Sequence, residues 1–126
     1  MRNILIILSI LFLASCSLNR QSNNKEETSP YKDTLIDKSS GIKFYLDTLS
    51  INIYAFDKDD KLLWKTDPWK DNKLMEYRVK RPKIVYFNFV KNEISNNIEV
   101  IGIAYNNSQF GHLDKLTGKF IFGGQD

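Results

Sequence analysis

The only histidine of this 126-residue chain, His112, stands four residues after Ser108 and two before Asp114. A serine, a histidine and an aspartate are the parts of a nucleophilic relay, in which the imidazole takes the hydroxyl proton and the carboxylate orients the ring. The spacing argues against that use. In an extended strand residues 112 and 114 fall on one face, and no strand-to-helix elbow pattern surrounds Ser108 to activate its hydroxyl. His112 reads as a surface or half-buried strand residue. Asp57, Asp59 and Asp60 suggest a different chemistry, a calcium loop. The EF-hand pattern also needs a ligand at the fifth position, Gly at the sixth and Glu at the twelfth. Counted from Asp57, those places hold Lys61, Leu62 and Pro68. The acidic run reads as a hairpin turn. No catalytic residue, metal or cofactor is assigned, and the expectation is a protein that is not an enzyme.

Binding is the better-supplied chemistry. Arg78, Lys80, Arg81 and Lys83, with Lys91 further on, form the densest basic run. It suits phosphate groups of lipid or polysaccharide, or an acidic protein, and serves equally as the charged face of an edge strand. Trp69 sits in the polar loop 67–72, where an indole must either pack down on the core or meet a ligand. With Tyr77 and Tyr105 it would make a platform for a sugar ring or an anchor for a protein. Asn106 and Asn107 open a polar loop suited to hydrogen-bonding a ligand or to turning the chain. The candidate contact set is therefore Trp69, Tyr77, Arg78, Lys80, Arg81, Tyr105, Asn106 and Asn107. The net charge of +3 is spread through interleaved Lys and Asp, so no nucleic-acid footprint is read.

The one cysteine, Cys16, follows a short positive start (Arg2, Asn3), an apolar run from Ile4 to Ala14, and two small residues, Ala14 and Ser15. The run is shorter than the roughly 20 residues a spanning helix needs. Leu13-Ala14-Ser15-Cys16 resembles the lipobox of bacterial lipoprotein precursors at all four positions. The resemblance implies a diacylglyceryl thioether on Cys16, removal of residues 1–15 as a signal peptide, and Cys16 as the mature, acylated N-terminus. Two or three acyl chains make a stable anchor where one does not. A serine after the cysteine, as Ser17 is, implies outer-membrane sorting. The late placing of Glu26 and Glu27 implies a periplasm-facing domain.

What must position these residues is one small domain. Residues 16–30 read as the lipidated cysteine and a flexible polar linker, spanning roughly 20 Å on average. Residues 31–126 suffice for one domain and not two. With Cys16 taken, no disulfide is available, so the core holds by packing. Strands are expected at Ile42 to Asp47 and at Leu49 to Phe56, with Leu49, Ile51, Ile53 and Ala55 on one face and Tyr54 and Phe56 on the other. Lys61 to Lys65 returns as the partner of the second. Pro68 marks a turn corner. Leu74 to Lys80 alternates with Met75, Tyr77 and Val79 inward, and Pro82 ends it. Lys83 to Val90 and Ile98 to Tyr105 are apolar on both faces and are placed centrally, covered on two sides. Phe110 to Asp114 and Lys119 to Phe122 close the chain as a hairpin, with Gly118 supplying a positive φ. Helix is expected, if anywhere, near 31–39 or 71–77. No internal repeat at a fixed period is read.

The fold class is mostly β: a small antiparallel β-sandwich or open barrel of about seven or eight strands. The functional expectation is a lipid-anchored envelope protein that binds a protein or glycan without catalysis. An immunity or inhibitor lipoprotein, neutralising a periplasmic toxin or hydrolase, is the alternative.

Overall fold

The computed structural model describes residues 29–126. The signal segment, Cys16 and the linker through residue 28 lie outside the described residues. Eight strands form two four-stranded antiparallel sheets, each a simple meander. β1 (Tyr31–Ile36), β2 (Lys43–Asp47), β3 (Ile53–Phe56) and β4 (Leu62–Thr66) make the first sheet in chain order. A short helix, α1 (Pro68–Asp71), begins the crossover. β5 (Ile84–Asn92), β6 (Ile98–Tyr105), β7 (Gln109–Leu113) and β8 (Phe120–Gln125) make the second. The protein is a small antiparallel β-sandwich.

Alternation explains the core. Phe44 and Leu46 of β2 and Ile53 and Ala55 of β3 turn one face of the first sheet inward. Ile84, Phe87, Ile101, Ile103, Tyr105, Leu113 and Phe120 do the same from the second. Phe44 meets Phe89 across the gap with centroids 5.9 Å apart and Trp64 within its own sheet at 5.8 Å. Every strand and every buried apolar residue of this core lies between 31 and 126.

The first sheet carries a period that hydrophobicity does not reveal. Asp37, Asp47, Asp57 and Asp67 stand ten residues apart, and each opens a turn. Their Oδ1 atoms accept from the backbone N–H of Ser39, Ile51, Asp59 and Lys70 respectively. This is the local reason aspartate favours turns and helix N-caps. The expectation of no fixed period is corrected accordingly.

Four further expectations are revised or resolved. The 67–72 loop is α1, capped by Asp67 with Pro68 in its first turn. Residues 31–36, where the sequence leaves strand and helix open, are strand. β3 begins only at Ile53, because Leu49 and Ser50 are in the preceding turn, with Ser50 at φ +59° and Leu49 62 % exposed. β5 is at the edge of its sheet, as the first strand of a meander must be, with Val85 65 % exposed; of the two strands expected at the centre, β6 alone is interior, beside β7.

Leu74 to Lys80 is also not a strand. Leu74 packs on the core while Met75 is 81 % exposed, and Val79 N–H donates to Tyr77 O at 2.6 Å in a tight turn with Arg78 at φ +58°. The alternation there is genuine in sequence, but the carbonyls a ladder would use accept side-chain amides instead: Met75 O from Gln109 and Tyr77 O from Asn107. The hairpins 37–42, 57–61, 93–97 and 114–119 gather at one end, where Lys115 Nζ reaches Asp37 at 3.0 Å. The start of β1, the turn 47–52, the crossover 67–83 and the turn 106–108 share the other, where Ile84 N–H donates to Ser50 O and Asn106 N–H to Lys83 O.

Candidate functional site

The contact residues named from sequence do come together, at the crossover end, where most of their polar atoms are engaged within the chain. Trp69 Nε1 donates to Gln109 Oε1 at 3.1 Å, and its ring packs against the core. Asn107, almost fully buried, donates through Nδ2 to Gln109 Oε1 at 2.7 Å and to Tyr77 O at 3.1 Å. Gln109 Nε2 donates to Met75 O at 3.0 Å and to Gln125 Oε1 at 3.2 Å. Two buried amides thus hold the irregular segment 74–79 onto the sandwich, as buried polar groups must find partners. Asn106 Oδ1 accepts from Lys83 N–H at 3.0 Å, and the Tyr77 hydroxyl donates to Asp126 O.

Arg81 pairs with Asp67 and lies over the Trp69 ring at 5.0 Å. Arg78 covers Tyr77 at 4.7 Å and donates to Ser108 Oγ at 3.3 Å. Lys80 and Lys83 project into solvent. Tyr105 is buried, with its hydroxyl beside Asp67 and making no hydrogen bond among the described residues. Burial pushes its pKa up, and the Asp67 carboxylate adds to the rise. Trp69, Tyr77 and Tyr105 therefore share a neighbourhood without lining one open surface.

The residues of the relay are apart. Ser108 precedes β7 while His112 lies four residues along, about 13 Å by strand rise. Asp114 does not face His112 as an orienting carboxylate: its Oδ1 accepts from Leu116 N–H at 2.8 Å and Thr117 N–H at 2.9 Å. Burial works to raise the Asp114 pKa, and those backbone donors with the Thr117 hydroxyl outweigh it and hold it below the usual range. Asp57 likewise spends its carboxylate on its own turn, and Asp60 pairs with Lys43 at 3.0 Å.

An open site exists elsewhere, on the outward face of the second sheet. Ile98, Val100, Gly102 and Ala104 alternate with the buried Ile101 and Ile103 and so face away from the core. Over Gly102 the face is filled by its neighbours, and a Cβ there would meet Val90 at 2.9 Å and Tyr86 at 3.3 Å. Beside this filled stretch lies a hollow of 370 Å³ with an aliphatic floor of Ile98, Val100 and Ile121. Asn92, Ser95, His112, Asp114, Thr117 and Lys119 form its polar rim. A second hollow of 300 Å³ shares Asn92, Val100 and His112 and runs on to Phe110 and Ile94. The Asn92 amide lies 3.5 Å from His112 Nε2. Sequence reading saw apolar residues on both faces of β6 and took the second face as covered.

The fold and this hollow define a small antiparallel β-sandwich with an open hollow on one outer face. No protein-family model matches the chain, and no curated protein or solved structure matches it either.

Proposed function

We propose that this chain is a lipid-anchored, non-enzymatic binding module of the bacterial envelope. Cys16 carries the acyl chains, residues 17–30 tether the sandwich, and the outward face of the second sheet engages a protein partner. The observation that supports the binding role is the 370 Å³ hollow, aliphatic at its floor and polar at its rim, on a face that no further sheet or helix layer covers among the described residues. Its floor suits one or two aliphatic side chains of a protein better than a sugar ring. Ile94 and Leu116, 96 % and 72 % exposed, stand on the adjoining turns and widen the contact. The anchor rests on the lipobox resemblance of Leu13-Ala14-Ser15-Cys16, and outer-membrane, periplasm-facing placement rests on Ser17 and the late Glu26 and Glu27. Such a module bound to a single stoichiometric toxin or hydrolase is an immunity or inhibitor lipoprotein; that is the form the proposal takes if the partner is one discrete protein.

Two measurements test the two halves. Full-length chain expressed in a bacterial host fed an alkyne fatty acid is expected to label, and Cys16→Ala to abolish the label; unlabelled wild-type protein removes the anchor. Chain from Ser17 onward, immobilised by its N-terminus and exposed to envelope extract, is expected to retain one protein that Ile98→Asp releases. Glycan retained without protein replaces the protein partner, and retention indifferent to Ile98→Asp removes the hollow as the site.

A further inference from the structure

β8 is the last strand of its sheet, paired only with β7. Among the described residues no backbone hydrogen bond reaches its free side. Natural edge strands are blunted by charge, proline or cover. The other three edges here follow that practice. β1 presents Lys32 and Asp33, β4 presents Lys65, and β5 carries Lys91 and runs close to β1. β8, Phe120-Ile121-Phe122-Gly123-Gly124-Gln125, has neither charge nor proline, and its one interruption is the bulge that leaves Gly123 without a partner on β7. Ile121 is 51 % and Phe122 44 % exposed.

The charges stand just outside it. Lys119 precedes the strand and Asp126 follows it, both exposed and neither in an ion pair among the described residues. We propose that β8 pairs antiparallel with β8 of a second copy of this chain, joining the two second sheets into one of eight strands. Antiparallel pairing brings Lys119 of each copy alongside the Asp126 end of the other, whereas parallel pairing would set like beside like. A two-fold axis at β8 also removes both unprotected edges at once and closes the assembly. The outward faces then form one continuous surface bearing two hollows. The inference is independent of lipidation at Cys16.

Light scattering during size exclusion of the chain from Ser17 onward, which holds every strand and core residue described, tests it over a concentration series. The expected mass is that of a dimer at the upper end. Phe122→Lys, with Ile121→Lys as the second variant, brings a lysine from each copy close to the two-fold axis and is expected to raise the dimer dissociation constant at least about tenfold. Val85→Lys, on the exposed part of β5, is expected to leave it unchanged. Far-UV circular dichroism identifies any variant that has not folded. A monomer at every concentration overturns the proposal. So does a dimer that Val85→Lys breaks and folded Phe122→Lys or Ile121→Lys spares, since the contact would then run through β5.

Discussion

On the outward face of the first sheet, Tyr31 stacks on Tyr45 at 4.3 Å, Tyr45 meets Phe56 at 5.6 Å and Tyr54 lies along Phe56 at 6.5 Å. Lys65 covers Tyr54 at 5.2 Å. The corresponding face of the second sheet carries Val100, Gly102 and Ala104 along its middle strand. Aromatic cross-strand pairs fill a face with their own rings. On the second, Ile98, Val100 and Ile121 floor an open hollow. The difference separates a face filled by its own rings from one that keeps an open hollow.

The sheets also differ in what holds their ends. The first is pinned by local Asx turns at ten-residue intervals. The second has such turns at Asn92, Asn107 and Asp114 and adds to them the long-range clamp of Asn107 and Gln109 on residues 74–79. The largest predicted effect follows: Gln109→Ala leaves Met75 O, Trp69 Nε1 and the Asn107 amide short of a partner and should cost about 3 kcal/mol or more in urea unfolding. Asp47→Ala, which removes two local turn bonds of the first sheet, from Ile51 N–H and the Asn52 amide, should cost about 1 kcal/mol. Equal costs would break the comparison.

Next come two glycines at matching hairpins. Gly118 sits at φ +71° with a would-be Cβ 2.6 Å from the Trp64 ring, and Gly41 at φ +74° with its nearest neighbour, Lys58 Cβ, at 3.1 Å. Both substitutions strain the backbone. Gly118→Ala must also displace a core tryptophan, so its melting temperature should fall clearly further than that of Gly41→Ala.

The contact between the sheets at the hairpin end is predicted to depend on pH. Lys115 lies 3.0 Å from both Asp37 and Glu99. Burial works to raise the Asp37 pKa, but hydrogen bonds from Ser39, Lys115 and Ser40 outweigh it and hold it well below the usual range. Burial works to lower the Lys115 pKa, and Glu99 and Asp37 outweigh it, leaving it raised. A lowered carboxylate stabilises fully above its unfolded value, about 3.9, and loses that contribution as pH falls through the folded value. A raised lysine stabilises fully below its ordinary 10.5 and loses the contribution as pH rises through the folded value. Unfolding free energy should therefore drop below about pH 4, and Asp37→Asn should flatten that limb. An unchanged acid limb would remove this contact from the account.

The smallest effect on stability is expected in the hollow. Ile98→Ser changes a residue that is 59 % exposed and should shift unfolding by no more than about 0.5 kcal/mol, while weakening partner retention.

The strands the sequence made legible are those whose alternation is set by one buried face. Phe44 with Leu46 and Ile53 with Ala55 read correctly, and so did the closing hairpin, through Gly118. Residues 74–80 misled because their pattern resembles a strand while their carbonyls accept from amides 30 and 34 residues away, which no local window registers. β5 was misplaced because an edge strand near another sheet's edge is as apolar as a central one. The contact residues named from sequence were found in one neighbourhood, but as structural partners of Gln109, Asp67 and Ser108 for the most part. The hollow was not foreseen, because its lining comes from all four strands of the second sheet and two of its turns, which only the strand order brings together.

The most direct measurement compares the two outward faces in living cells. A photo-crosslinking amino acid is placed in the full-length chain at position 98, on the second sheet, or at position 54, on the first, in a bacterial host. Irradiation should yield one discrete adduct from position 98 and none from position 54. No adduct from position 98, or equal adducts from both, would contradict the claim that the open face of the second sheet is where this protein binds.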